Sequence, residues 1–148
     1  MKNEMKITGV TKITAKLKEY QKKSRAAAEQ GMGLAMMALQ RDCIMETPTV
    51  PIDEGTLRGS GSIFVGNKLI GTSESLSKKS GTPNRDYSFT GNGIVGTVGF
   101  NTPYAARWHE TDANFRETSS GKWYLIDKMK RFKNDYMKII ADVIKAVR

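Results

Sequence analysis

The sequence contains one cysteine and one histidine among its 148 residues, and these two shortages exclude several kinds of site. Cys43 alone cannot form an internal disulfide or a cysteine-based zinc site. His109-Glu110 matches the first half of a zinc-protease motif, but that motif needs a second histidine, which the chain lacks. No apolar run reaches the roughly 20 residues that span a bilayer. The segment MKNEMKITGV also lacks the apolar centre of a secretory signal, so we expect a cytosolic protein without a membrane partner.

Catalytic and cofactor motifs are also missing. The glycine-rich segment GTLRGSGS at 55–62 is not a P-loop, because a P-loop needs a Lys-Ser/Thr pair that opens a helix. Asp53 and Glu54 are neighbours on an extended segment and point apart, so they do not indicate an acid–base pair. No serine or cysteine nucleophile is identifiable beside His109. We therefore predict no enzyme, no cofactor and no metal, with a small hydrolase that uses His109 as the alternative.

What the sequence does contain is typical of one soluble globular domain, predicted to cover residues 1–148. The chain is 39% hydrophobic and 26% charged, and its length allows a substantial core. Its net charge of +9 is concentrated at the ends, where residues 1–29 and 122–148 each carry eight basic and three acidic side chains. Such ends favour an acidic partner, either nucleic acid or protein, or they are simply solvated helix surface.

The first third has the spacing of one long helix. Apolar residues recur at intervals of three and four from about Thr11 to Glu46. The stripe comprises Ile13, Leu17, Tyr20, Ala28, Met32, Ala35, Leu39 and Cys43. Gly31 and Gly33 each cost roughly 1 kcal/mol against alanine in a helix, so they predict a bend or the close approach of another element. Pro48 is expected to end the helix.

The middle of the chain alternates apolar residues with turn signals, as strands do. A strand is predicted from Thr56 onward, and Gly66-Asn67 is predicted to close a hairpin. The clearest strand is IVGTVGF at 94–100, and a shorter one is predicted at 87–89. The polar segment 73–87 is interpreted as a long exposed loop, and loops of that length are usually functional or mobile.

Two further helices are predicted after these strands. Pro103 is well placed to open a short helix, YAARWHE at 104–110, because proline suits the first helical turn. A second long helix is predicted from Lys122 to the end. Its apolar stripe comprises Ile126, Met129, the stem of Lys133, Tyr136, Ile140, Val143 and Val147, widened by Leu125, Phe132, Ile139 and Ala146. The order of elements predicts an α+β domain in which a small antiparallel β-sheet packs against long N-terminal and C-terminal α-helices.

Lysines on the two terminal helices make a basic nucleic-acid-binding module the alternative function. They are Lys12, Lys16 and Lys23 on the first helix and Lys122, Lys130, Lys133 and Lys145 on the last. Phosphate contacts need only such lysines, and the binding falls steeply with salt. The chain has no helix-turn-helix, zinc-finger, RRM or OB signature.

Three segments, taken together, resemble a known family. They are TPTVPIDEGTLRGS at 47–60, VGFNTPYAARWHE at 98–110 and GKWYLIDKMKRF at 121–132. In order and spacing they are similar to the signature segments of small head–tail joining or tail-completion proteins of tailed bacteriophages, the minor capsid-type proteins related to the HK97 gene product 10 group. The resemblance covers about residues 10 to 145.

The resemblance implies a non-enzymatic virion protein of the phage neck or upper tail. Such a protein assembles as a ring, commonly of six copies, and contacts other neck and tail proteins, namely the head-closure or connector ring and the tail terminator or tail tube. DNA passes through the channel of the ring. The implied location is the head–tail interface of the virion, with the host cytoplasm as the place of assembly.

Two groups of residues are candidate sites under this hypothesis. Subunit contacts are predicted for the loop residues Ser77, Lys78, Lys79, Asn84 and Arg85. A structural polar cluster that fixes the 47–60 segment against the short helix is predicted for Asp53, Arg58, His109 and Glu110.

Overall fold

A helix of 36 residues, α1, spans Val10–Met45 and is the longest element of the molecule. The structure is a computed structural model, and it describes residues 9–52, 55–77 and 81–147. The helix ends at Met45, three residues before Pro48. Proline disfavours helical geometry in the residue that precedes it, so this end agrees with the sequence prediction. The prediction of one helix from about Thr11 to Glu46 is confirmed.

Three short strands form one antiparallel sheet. They are β1 (Gly61–Val65), β2 (Lys68–Thr72) and β3 (Gly96–Phe100), in the spatial order β2-β1-β3. The hairpin between β1 and β2 turns at Gly66, whose φ of 57° lies in the left-handed region that glycine adopts without strain. The predicted hairpin and the predicted strand at 94–100 are therefore confirmed, the latter with a later start.

Two predicted strand segments are wrong. The residues from Thr56 onward form a single helical turn, α2 (Thr56–Gly59), and the strand begins only at Gly61. The turn is held by Ser60, whose Oγ donates to the Leu57 carbonyl at 2.7 Å. Residues 87–89 are irregular, and the Phe89 amide donates to the side chain of Asn67 instead of to a neighbouring strand.

The predicted second long helix is two helices. The short helix α3 spans Ala105–Glu110, and the C-terminal part divides into α4 (Tyr124–Arg131) and α5 (Lys133–Lys145). The break falls at Phe132, whose φ of −106° and ψ of 16° are not helical. The side chain of Phe132 packs against the core, and after the break α5 runs along α1.

The buried face of α4 is also different from the predicted stripe. Ile126 and Met129 are exposed, whereas Tyr124 and Lys128 are buried. Burial of a lysine cannot be predicted from hydrophobic periodicity, because that pattern places lysines on the solvent face. The predicted members on α5 fit better, since Tyr136 is buried and Ile140 packs against the core.

Helix α1 lies between the sheet and α5, and this arrangement confirms the α+β fold class. Gly33 faces the sheet, where an added Cβ would lie 3.6 Å from Ile70 Cγ2. Gly31 faces α5, where an added Cβ would lie 3.0 Å from Ile140 Cα. The edge-to-face contact of Phe100 with Tyr124, with ring centroids 5.8 Å apart, joins the sheet to α4. The predicted close approach at the helix glycines is therefore confirmed at Gly31.

The two glycines give a matched pair of substitutions with opposite expected signs. Gly33→Ala is expected to raise the free energy of unfolding by about 1 kcal/mol, because it removes a helix glycine and makes only an ordinary contact. Gly31→Ala is expected to lower it by about 1 kcal/mol, because the methyl group would lie only 3.0 Å from Ile140 Cα, and backbone shifts less readily than the end of a side chain. Urea denaturation of both variants measures this difference. Equal stabilisation by the two would contradict the close α1–α5 packing.

Candidate functional site

The connector, residues 47–52, joins α1 to α2 and is held by its own backbone at two points. The Val50 amide donates to the Cys43 carbonyl at 2.8 Å, and the Thr49 amide donates to the Ser119 carbonyl at 2.8 Å. Thr49 also forms an isolated parallel bridge with Ser120. Val50 and Thr49 are both buried. The connector is thus part of the interior, although its two prolines and lack of regular structure are typical of a surface loop.

Three cationic side chains bind the carbonyl groups of the connector. Lys128 Nζ donates to the Pro48 carbonyl at 2.7 Å, and Arg131 Nη2 donates to the Thr47 carbonyl at 2.7 Å. Arg58 Nε donates to the Val50 carbonyl at 2.8 Å. We call this arrangement the connector clamp, formed by Arg58, Lys128 and Arg131 with the carbonyls of Thr47, Pro48 and Val50. The bonds from Arg58 and Lys128 are partly buried, so these two side chains satisfy carbonyls that would be costly to leave without a donor, whereas the bond from Arg131 to Thr47 is exposed.

Two carboxylates offset part of the positive charge of the clamp. Glu117 Oε2 lies 2.9 Å from Arg58 Nη2, and Asp127 Oδ2 lies 3.0 Å from Lys128 Nζ and 3.1 Å from Arg131 Nη2. Burial lowers the pKa of Arg58, and the Glu117 carboxylate opposes that shift. The cations are therefore committed to the carbonyls and carboxylates of their own chain, which is the arrangement of a structural site.

His109 lies against two aromatic rings. Its centroid is 5.3 Å from that of Trp123 and 4.9 Å from that of Tyr124, both edge-on, and its carbonyl accepts the Trp123 amide at 2.8 Å. Its Nε2 atom is buried and makes no hydrogen bond to the described residues. Burial lowers the pKa of His109, with Glu110 opposing the shift. Burial also raises the pKa of the Cys43 thiol to about 12, which keeps this sulfur protonated and unreactive.

The half-buried imidazole of His109 predicts a pH-dependent stability. Because the pKa of His109 is lower in the folded chain than its ordinary value of about 6.5, the unfolded chain binds the extra proton. The free energy of unfolding is therefore expected to fall as the pH decreases from 7 toward 5.5. His109→Phe retains the ring contacts and is expected to lose that slope, measured by urea denaturation at each pH. An unchanged slope in the variant would assign the effect to other groups.

Among the described members of the predicted polar cluster, Arg58 and His109 have different partners. Arg58 does hold the connector, but its carboxylate partner is Glu117 and not Glu110. His109 contacts aromatic rings. Asp53 lies outside the described residues. Sequence reasoning missed Lys128, Arg131 and Glu117, because lysines and arginines are frequent throughout the last helices and nothing local distinguishes the buried one.

The loop predicted to make subunit contacts is bonded to the N-cap residue of α2 through Ser77, and the bonds of Asn84 and Arg85 are within the loop. Ser77 Oγ donates to the Gly55 carbonyl at 2.7 Å, and Arg85 Nη2 lies 3.1 Å from Glu74 Oε2. Asn84 accepts the Asp86 amide at 3.2 Å. Lys78 and Lys79 lie outside the described residues. The contact role of this loop stays a prediction.

Two surfaces of the described residues present apolar side chains to solvent. One is a groove of about 620 Å³ between α1 and the β1–β2 hairpin, where Leu34 and Met37 are exposed beside Ile70 and Phe89. The other is the first part of α1, residues Val10–Lys23, which we call the arm. Its large apolar side chains are between 48% and 61% exposed. They are Val10, Ile13, Leu17 and Tyr20. Exposed apolar patches of this kind mark binding surfaces.

Several of the lysines and arginines at the chain ends have acidic partners. Lys23 pairs with Glu19 at 2.8 Å, and Lys122 pairs with Asp112 at 2.6 Å. Lys128 is buried in the connector clamp. Burial withdraws Lys128 from any phosphate contact, whereas the pair of Lys23 with Glu19 is exposed and weak and leaves that lysine accessible.

The described residues include no group of three or more histidine, cysteine, aspartate or glutamate side chains placed to hold a metal ion. Within residues 9–52, 55–77 and 81–147, no helix is long and apolar enough to cross a membrane. None of the family models, curated proteins and solved structures compared with the chain matches it.

Proposed function

We propose that this chain is a structural protein of a tailed-bacteriophage virion that joins or completes the tail at the head–tail interface. It acts by ring assembly, with about six copies expected from the resemblance, and by contacts with other neck and tail proteins. The proposal rests on the three segments that resemble that family, and the folded chain supports it through the way these segments pack.

The observation that carries the proposal is that the third segment contacts both of the others. Lys128 and Arg131 of the third segment bind the carbonyls of Pro48 and Thr47 in the first. Tyr124 of the third segment donates its hydroxyl to the Ala105 carbonyl of the second at 3.2 Å. The three segments lie far apart in sequence, and the folded chain joins them through the contacts of the third segment with each of the other two.

The exposed surfaces fit an assembly protein better than an enzyme. The groove and the arm present apolar side chains to solvent, as protein-binding surfaces do. A ring needs a heterologous interface, in which two different surfaces of each copy meet. The groove supplies one such surface, on which a different face of the next copy would lie.

The proposal is tested by comparing phage particles assembled with and without this chain. Electron microscopy is expected to show DNA-filled heads separate from tails when the chain is missing, and joined particles when it is supplied again. Antibody labelling should place the chain between head and tail. Joined, infectious particles made without the chain would contradict the proposal.

Duplex DNA binding distinguishes the alternative of a nucleic-acid-binding module. In a gel-shift titration at about 0.15 M salt, the isolated chain is expected to bind DNA only weakly, since binding through scattered lysines is screened at that ionic strength. Tight binding by the isolated chain at this salt concentration would favour the alternative.

A further inference from the structure

The exposed apolar side chains of the arm continue the face of α1 that α5 covers farther along. Tyr136 of α5 donates to Asp42 Oδ2 at 2.9 Å, and Val143 Cβ lies 3.4 Å from the Cβ position at Gly31. Helix α5 therefore runs antiparallel to α1 toward the arm, and it ends at Lys145. At about 1.5 Å per residue, the arm is about 21 Å long.

The spacing along this face is that of a helix-packing seam. Positions at alternating intervals of three and four run from the arm into the covered part of α1. They are Val10, Ile13, Leu17, Tyr20, Ser24, Ala27 and Gly31. Ala27 is 4% exposed, whereas Leu17 is 57% exposed. The arm is thus the uncovered half of a seam whose other half already accepts a helix, so its shape suits a second helix.

The charges beside the seam select the chemistry of that helix. Lys16 and Lys23 flank the apolar stripe on one side, and Thr14 and Gln21 flank it on the other. Lys23 is paired with Glu19, but both side chains are more than half exposed, so this pair is weak and can be replaced. An incoming helix with glutamate or aspartate at its flanking positions would pair with these lysines.

A second copy of the arm is a poor occupant. Antiparallel pairing of two arms would place Lys16 and Lys23 opposite the same lysines, and parallel pairing would place them opposite Thr14 and Gln21. Neither arrangement forms an ion pair, and a net charge of +9 on each chain adds repulsion.

We infer that the arm, Val10–Lys23, is a docking surface for an acidic amphipathic helix of another protein. The apolar stripe supplies the buried contact, and Lys16 and Lys23 set the preference for an acidic partner. The inference concerns the arm and not the three segments on which the proposed function rests. Loss of peptide binding and loss of head-to-tail joining are therefore separate results.

The test uses the full chain and designed peptides of about three heptads, with leucine at the seam positions. One peptide carries glutamate at the flanking positions, and its control carries lysine there. Isothermal titration calorimetry at about 0.15 M salt is expected to show binding of the glutamate peptide and at least about tenfold weaker binding of the lysine peptide. Failure of the glutamate peptide to bind would overturn the inference.

Substitutions in the arm make the test specific. The double variant Ile13→Gln with Leu17→Gln changes only exposed side chains and is expected to weaken binding at least about tenfold. Lys16→Glu with Lys23→Glu is expected to reverse the preference between the two peptides. The matched control, Lys18→Glu with Lys22→Glu, makes the same charge change on the opposite face and should leave binding within about twofold. Equal loss in the control would overturn the assignment of the flank.

Two other occupants give distinct results that also overturn the inference. Sedimentation that shows a dimer of the chain, dissociated by the Ile13 and Leu17 substitutions, would assign the arm to a second copy. Binding to vesicles rich in anionic phospholipid, lost in the same variant while the glutamate peptide does not bind, would assign it to a membrane surface.

Discussion

Replacing Lys128 with alanine is expected to lower the free energy of unfolding by about 3 kcal/mol, since the substitution removes a buried donor and its packing. Lys128 is 0% exposed, and its ammonium group donates to the Pro48 carbonyl at 2.7 Å. Without it, that carbonyl loses its donor and Asp127 loses one of two cationic partners. Urea denaturation followed by circular dichroism measures the change.

Two controls separate the causes of this loss. Lys128→Met retains a long apolar side chain and removes only the charged donor, so about half of the loss is expected to remain. Lys130→Ala changes an exposed lysine on the same helix and should shift the free energy by less than about 0.5 kcal/mol. If Lys128→Ala had the same free energy of unfolding as the unaltered chain, the ammonium group would not be what stabilises the connector at Pro48.

Replacing Arg58 with alanine is expected to lower the free energy of unfolding by about 2 to 3 kcal/mol, because several hydrogen bonds to one charged group are lost together. The guanidinium donates to the Val50 carbonyl at 2.8 Å, to Thr49 Oγ1 at 3.0 Å and to Glu117 Oε2 at 2.9 Å. Its side chain is only 13% exposed, so water cannot easily replace these bonds.

Arg58→Lys tests whether the forked geometry matters. A single ammonium group cannot reach all three acceptors in the same way, so this variant is expected to retain the charge and still lose about 1 kcal/mol or more. Arg116→Ala, at an exposed arginine next to Glu117, is the control and should change little. A fully stable Arg58→Lys variant would show that charge alone holds the connector.

The two substitutions are also expected to be coupled. Lys128 and Arg58 bind the Pro48 and Val50 carbonyls of the same connector. Once one donor is lost and the connector loosens, the other has less structure left to stabilise. The double variant should therefore lose about 1 kcal/mol less than the sum of the two single losses. Strict additivity would indicate that the two ends of the connector unfold independently.

The arm shows how far a periodic pattern reaches. The spacing of Ile13, Leu17 and Tyr20 predicts an amphipathic helix, and the helix is present. The same spacing does not say whether the apolar face is covered, because coverage depends on where α5 ends. The exposure of the apolar stripe on the arm therefore depends on the position of α5 beside Gly31, and not on the spacing itself.

The sequence by itself determined the α+β class, the long first helix, the end of that helix before Pro48 and the hairpin at Gly66. These features follow from local rules, since periodicity, proline and glycine act on their nearest neighbours along the chain. The tertiary structure alone decided that Phe132 divides the last helix, that His109 lies against two aromatic rings, and that Lys128 is buried against the connector. Each of these depends on a partner far away in sequence, and a buried lysine is stable only where a distant carbonyl and carboxylate meet it.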